Sequence, residues 1–137
     1  MRFKPGRSDY VVAHTGSLPN GIYSLNGGAS WGSAGGLTLG GNRRIEFVWS
    51  QGYTGSGRGV VYALKDSSSR LYRSVNGGVS YSLVSTNTML GSQGWYDNAL
   101  KVMPYPRNSS VTDDIVVAGG IDLWRSINGG LSFIKIS

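Results

Sequence analysis

Short apolar runs, separated by polar and glycine-rich stretches, recur along the whole chain. β-branched and aromatic residues dominate these runs, and none has the spacing of an amphipathic helix, so each run predicts a β-strand. The predicted strands are residues 10–13, 60–63 and 115–118, residues 21–23, 71–73 and 123–125, and residues 45–49, 100–104, 81–84 and 133–136. The pattern predicts an all-β chain of repeated antiparallel sheets.

An octet of the form Ser-x-Asn-Gly-Gly-x-Ser-aromatic occurs three times and defines the repeat. It spans residues 24–31, 74–81 and 126–133. The Asn side chain can hydrogen-bond to nearby backbone, and the Gly pair adopts positive φ without a Cβ clash, so the octet predicts a tight turn between two strands. The closing aromatic is expected to return to the sheet and be buried. The residues expected to build the three turns are Ser24, Asn26, Gly28, Trp31, Ser74, Asn76, Gly78, Tyr81, Ser126, Asn128, Gly130 and Phe133.

The octet resembles the Asp-box, whose pattern is Ser/Thr-x-Asp-x-Gly-x-x-aromatic. Asn26, Asn76 and Asn128 stand where that family usually has Asp. Asp-boxes occur in bacterial sialidases, sortilin-type receptors, family-74 glycoside hydrolases and other secreted bacterial proteins. There the box lies on the hairpin between the third and fourth strands of a β-propeller blade, away from the ligand-binding face. The resemblance therefore implies a propeller fold and a structural role for the octet.

The repeats divide the chain into one partial β-propeller of three four-stranded antiparallel blades, at about residues 1–40, 41–90 and 91–137. The glycine-rich residues 32–42 and residues 85–94 are predicted to link the blades. Only residues 1–4 precede Pro5 in the first repeat, so the inner strand of the first blade is expected to be truncated. Because propellers have about four to eight blades, we expect the ring to be completed by association, with a six-bladed dimer favoured, or by further chain.

Composition excludes several classes of function. The chain has no Cys, a single His and no long apolar run, so it predicts no disulfide, no multi-histidine metal site, no cofactor and no membrane span. Residues 1–6 do not form a signal peptide, and the resemblance alone suggests secretion, so the location is left open. The net charge is +6, but the basic residues are scattered rather than interleaved with aromatic residues, which argues against nucleic-acid binding.

Strand direction sorts the loops onto two ends of the predicted blades. The octets and the connections from first to second strands share one end, and the remaining loops share the other, where propellers usually bind ligands. Candidate ligand-binding residues at this second end are Arg43, Arg44, Asp66, Trp95, Tyr96, Asp97, Asn98 and Asp122. Aromatic rings beside carboxylates and amides suit sugars. The competing interpretation, which we favour from sequence, packs Trp95 and Tyr96 between blades while Asp97 and Asn98 cap the turn.

The sequence offers no clear catalytic constellation. Glycoside hydrolysis uses two opposed carboxyl groups, and Asp97 and Asp122 are only weak candidates for them. Family-74 hydrolases place an Asp before a Gly-Gly pair, where this chain has Ala118, and no sialidase arginine triad can be assigned. We therefore favour a non-catalytic Asp-box propeller module that binds a glycan or a protein. The alternatives are a fragment or remnant of a sialidase-like or family-74-like glycoside hydrolase, or a structural component of a larger assembly such as a virion.

Overall fold

Three four-stranded antiparallel sheets make up the described part of the chain. The computed structural model of the protein describes residues 1–38, 44–51, 57–66, 69–103, 110 and 113–137. Sheet 1 contains β1 (Arg2–Lys4), β2 (Arg7–Ala13), β3 (Asn20–Ser24) and β4 (Gly32–Thr38). Sheet 2 contains β5 (Ile45–Trp49), β6 (Val61–Lys65), β7 (Arg70–Ser74) and β8 (Ser82–Ser85). The one-turn helix α1 (Gly94–Asp97) precedes sheet 3, which contains β9 (Ala99–Met103), β10 (Ile115–Gly119), β11 (Leu123–Ser126) and β12 (Ile134–Lys135).

Each sheet pairs its strands in sequence order, and the octet connects the third strand to the fourth. The second and third strands also share one register in all three sheets, because the octet Ser always lies opposite a Val. The pairs are Val11 with Ser24, Val61 with Ser74 and Val116 with Ser126. This agreement confirms the repeat alignment and the all-β prediction. The first strand of sheet 1 has three residues.

The sheets pack against each other in chain order, with an apolar core at each of the two joints. In the first joint, Val12 and Leu37 of sheet 1 cluster with Phe47 of sheet 2. In the second joint, Leu71 of sheet 2 clusters with Val116 of sheet 3. The first strands of neighbouring sheets also contact each other, β1 with β5 and β5 with β9. The arrangement is blade-like, with three sheets side by side along their first strands.

Strand β4 corrects the prediction that residues 32–42 form a linker. Besides pairing with β3, its Gly35 N–H donates to the Val79 carbonyl oxygen (2.9 Å), and the Tyr81 N–H donates to the Gly35 carbonyl oxygen (2.8 Å). A Cβ on Gly36 would collide with the Tyr81 carbonyl oxygen. The glycines therefore let β4 approach the octet of sheet 2. This contact keeps residues 32–38 in a strand, although their sequence has little strand propensity of its own.

The burial of the octet aromatic depends on the neighbouring sheet. Tyr81 is 7% exposed in the first joint, and Phe133 packs against the core of the second joint. Trp31 is 43% exposed, so the prediction that it is buried is wrong. Among the described residues, no sheet lies against that side of sheet 1, and the Trp31 ring has less apolar surface to pack on. No helix in the described part of the chain is long and apolar enough to cross a membrane.

Candidate functional site

The three octets form the same hydrogen-bonded turn. In the second octet, the Ser74 hydroxyl donates to Asn76 Oδ1 (2.9 Å) and accepts from the Gly78 N–H (2.9 Å). Asn76 Oδ1 also accepts from the Ser80 N–H (3.0 Å), and Asn76 Nδ2 donates to the Ser80 hydroxyl (2.9 Å). The same four bonds recur within 0.1 Å around Ser24 and Asn26. They recur again around Ser126, Asn128, Gly130 and Ser132.

A backbone bond fixes each turn to the start of the second strand in its own sheet. Gly27 donates its N–H to the Asp9 carbonyl oxygen (2.8 Å), and Gly77 donates to the Gly59 carbonyl oxygen (3.0 Å). The third member of the series joins Gly129 to Asp114 (3.0 Å). The turns therefore lie at the end of the sheets where first strands connect to second strands, as predicted. The hydrogen bonds within each turn occupy the side-chain groups of the octet Ser and Asn, so the geometry gives these residues a structural role.

Two aromatic rings are exposed at the opposite end of the sheets. Trp95 and Tyr96 belong to α1 and are 66% and 69% exposed. Their ring centroids lie 5.7 Å apart with an interplanar angle of 60°, an edge-to-face contact. The favoured prediction that both rings pack between blades is wrong. We call this pair the aromatic platform.

The backbone beneath the platform is tied to sheet 2. The Arg44 guanidinium donates to the carbonyl oxygens of Tyr96 and Asn98. Asn98 is 3% exposed, and its Nδ2 donates to the Leu64 carbonyl oxygen (3.0 Å). Within α1, the Tyr96 N–H donates to the Gln93 carbonyl oxygen (2.8 Å). The rings therefore project into solvent from a fixed backbone, an arrangement that lowers the entropic cost of binding a ligand.

Buried oxygen atoms lie beside this tether. Asp66 is 6% exposed, and its Oδ2 accepts from the Arg44 N–H (3.1 Å). Asp66 Oδ1, Asp97 Oδ1 and Asn98 Oδ1 are shielded from solvent and have no hydrogen-bond partner among the described residues. Of the predicted ligand-binding residues, the structure thus connects Arg44, Asp66, Tyr96 and Asn98 directly, with Trp95 and Asp97 on the same turn.

Two predicted ligand-binding residues are not brought to this cluster. Asp122 forms an ion pair with Lys135 (2.8 Å) at sheet 3, and within the described part of the chain no side-chain hydrogen bond or ion pair joins it to Arg44 or the aromatic platform. Arg43 lies outside the residues that the structure describes. The described residues hold no group of three or more His, Cys, Asp or Glu side chains arranged to bind a metal ion.

Asp114 is a buried acid that is not among the predicted site residues. It has no exposed surface, and its carboxylate accepts from the hydroxyls of Ser50 (2.9 Å) and Tyr62 (3.0 Å) in the joint between sheets 2 and 3. Burial raises the pKa of Asp114 above its ordinary value, although both hydroxyls oppose that shift. The sequence shows only the adjacent pair Asp113 and Asp114, and nothing in it indicates that the second one enters a joint between sheets.

Fold and site together define an all-β chain of three repeated sheets, with structural turns at one end and a tethered aromatic pair at the other. No protein-family model and no curated protein matches the chain. The resemblance to Asp-box proteins therefore rests on the octets themselves.

Proposed function

We propose that the chain is a non-catalytic, Asp-box-type β-propeller module. The three sheets, with strands in sequence order and neighbouring first strands, have the layout expected of successive blades. The octets lie between third and fourth strands, where the resemblance puts an Asp-box. Further sheets of the same kind complete the ring.

The module binds a glycan through the aromatic platform. The observation that carries this proposal is the exposure of Trp95 and Tyr96 on a turn that Arg44 and Asn98 hold in place. Sugars present C–H faces that pack on aromatic rings and hydroxyls that need polar partners. Arg44, beside the platform, supplies an exposed cationic group for those polar contacts.

Glycan-array binding followed by calorimetry on the best ligand tests the platform. Trp95→Ala and Tyr96→Ala should each weaken binding by about tenfold or more, which corresponds to about 1.4 kcal/mol. Trp95→Phe keeps an aromatic face and should retain part of the affinity. Leu83→Ala is the control, because Leu83 is also exposed, at 49%, but lies on the fourth strand of sheet 2. All four variants should melt close to wild type.

Two results would contradict the glycan proposal. One is an affinity equal to that of wild type in a variant that lacks both rings, which would show that the ligand binds another surface. The other is an array without any specific glycan together with specific binding of a protein through the same rings, which would make the module a protein-binding one.

A glycoside hydrolase is the second candidate function, favoured by the carboxylate of Asp97 beside the platform. Asp97 is half-buried, and its Oδ1 is shielded from solvent with no partner among the described residues, so a substrate hydroxyl would engage that oxygen only after the atoms covering it move. In that case wild type would turn over a sialoside or a β-glucan, and Asp97→Asn would abolish turnover while leaving the melting temperature unchanged. Affinity without turnover in wild type would exclude this candidate for those substrates.

A further inference from the structure

The two outer faces of the stack of sheets carry exposed apolar side chains. We call the side that a sheet turns toward the preceding sheet its leading face, and the other side its trailing face. Phe3 and Trp31 of sheet 1 are 50% and 43% exposed, and Leu123 and Ile136 at the other end of the stack are 46% and 47% exposed. Large apolar patches on sheet faces mark interaction surfaces.

The second joint shows what covers a trailing face. Leu71 stands one repeat before Leu123 and is fully buried. The octet of sheet 3 lies over it so closely that a Cβ on Gly130 would be 2.5 Å from Leu71 Cδ2 and 3.6 Å from Val84 Cγ1. Val84 stands one repeat before Ile136. Leu123 and Ile136 therefore belong to the trailing face of sheet 3, where an octet glycine would cover them.

The first joint shows what covers a leading face. Tyr81 stands one repeat after Trp31 and is buried against sheet 1, clustering with Val12 and Leu37. A Cβ on Gly78 would collide with Val12 Cγ1. On the leading face of sheet 1, the equivalent surface is the corner formed by Gly28, which is half-buried, and Trp31, which is exposed.

One hydrogen bond of the second joint has its donor repeated on the outer face of sheet 3 and its acceptor repeated on the outer face of sheet 1. In the second joint, Arg73 Nη1 donates to the Gly129 carbonyl oxygen (3.2 Å). One repeat later, Arg125 is exposed on sheet 3, and Gly27, the equivalent of Gly129, is exposed on sheet 1. Donor and acceptor are thus present on opposite faces of the same chain.

We propose that the trailing face of sheet 3 binds the leading face of sheet 1 in a second copy of this chain. The joint repeats the internal ones, with Trp31 in the place of Tyr81, Gly28 over Leu123, and Arg125 donating to the Gly27 carbonyl oxygen of the second copy. This inference rests on the proposed propeller, because head-to-tail contacts close only if the sheets surround an axis.

A second copy satisfies both outer faces at once. Two copies of the three described sheets make six, the only multiple of three within the range of about four to eight blades that closed propellers use. The two-fold axis of this dimer coincides with the central axis of the ring, so both aromatic platforms lie at the same end of the dimer. Two platforms on one rigid body give avidity for a repeating glycan without any new contact.

Sedimentation velocity on the full chain tests the joint. Wild type should sediment as a dimer of twice 14.6 kDa at about 100 μM, a concentration at which even a weak specific interface is occupied. Trp31→Lys damages only the leading face, and Leu123→Lys damages only the trailing face, so each variant alone should be monomeric. Leu83→Lys, on an exposed residue away from both faces, should remain dimeric.

Mixing the two damaged variants tests head-to-tail geometry. Each contributes one intact face, so the mixture should form dimers joined at a single joint, although neither variant does so alone. Because the closed dimer has two joints, Arg125→Ala removes two hydrogen bonds from charged groups and should weaken self-association by about a hundredfold, about tenfold for each bond. The variants change residues that are already exposed, and their melting temperatures show whether they fold.

A wild-type monomer would overturn the proposal, as would a dimer that survives damage to either face, or open polymers in place of a closed dimer. Calorimetry with a monovalent glycan separates this inference from the proposed function. Glycan affinity in a monomeric wild type refutes the joint alone, and a dimer without glycan affinity refutes the binding function alone.

Discussion

A methyl group added at equivalent octet glycines should measure how tightly the sheets are joined. Gly130 has φ +88° and its Cβ would lie 2.5 Å from Leu71 Cδ2, in the joint between sheets 2 and 3. Gly28 has φ +95°, but its nearest contact would be Trp31 Cζ2 at 3.6 Å. Within a single chain, Gly28→Ala is therefore the matched control for backbone strain without a clash between sheets. Both variants are compared in the Leu123→Lys background, which removes the proposed contact of Gly28 with a second copy.

The expected costs follow from these two geometries. Alanine at positive φ costs about 1–2 kcal/mol, offset by about 0.4–1 kcal/mol because the unfolded chain loses freedom. Both variants share that cost. Gly130→Ala must also move the fully buried Leu71 by about 1 Å to reach an ordinary carbon–carbon separation of about 3.5–4.0 Å. Overpacking of this kind costs about 1–3 kcal/mol, so Gly130→Ala should be the more destabilising by that amount.

Urea unfolding at two protein concentrations gives the free energy of unfolding of each variant and reveals any contribution from self-association. A double-mutant cycle with Leu71→Val, which shortens the opposing side chain, should recover much of the extra cost of Gly130→Ala. Equal losses for Gly28→Ala and Gly130→Ala in the monomeric Leu123→Lys background, or no coupling to Leu71, would refute the packing of the octet on the preceding sheet.

Three further substitutions test other parts of the structure. Asp114→Asn should remove a pH dependence of the free energy of unfolding. Burial raises the pKa of Asp114 above the unfolded-state pKa of about 3.8, so the stability that its bound proton contributes is complete below that pKa and is lost as pH rises through the folded-state pKa. Urea titrations should therefore show wild type losing stability relative to the variant between the two pKa values. Tyr81→Phe should leave the melting temperature unchanged or raise it, since the Tyr81 hydroxyl is buried without a partner among the described residues; clear destabilisation would point to a partner. Asn76→Asp should keep the octet folded at neutral pH, because a carboxylate can accept from both the N–H and the hydroxyl of Ser80. The variant should lose stability in acid, where the carboxylate becomes protonated. Similar losses of stability at both pH values would show that Asn76 Nδ2 is required.

Several features could be predicted from sequence because they depend on neighbours along the chain. An Asn-Gly-Gly corner needs only its own side chains and two residues with positive φ, and all three octets form the same turn. Strand identity follows from runs of β-branched and aromatic residues, as at β5 (Ile45–Trp49), whose predicted bounds are those observed. The octet turns and the number of sheets were therefore determined locally.

Burial was decided by tertiary structure. Trp31 and Tyr81 occupy the same octet position, yet one is 43% exposed and the other 7%, because among the sheets that the structure describes one packs against Tyr81 and none against Trp31. The sequence predicted that Trp95 and Tyr96 pack between sheets. The contacts of Arg44 and Asn98 instead hold their turn so that both rings face solvent. Asp114 is buried where Ser50 and Tyr62 on the side of the preceding sheet donate hydrogen bonds to its carboxylate. A residue's repeat position fixes its place within a sheet, while its exposure depends on the neighbouring sheet, which no local pattern encodes.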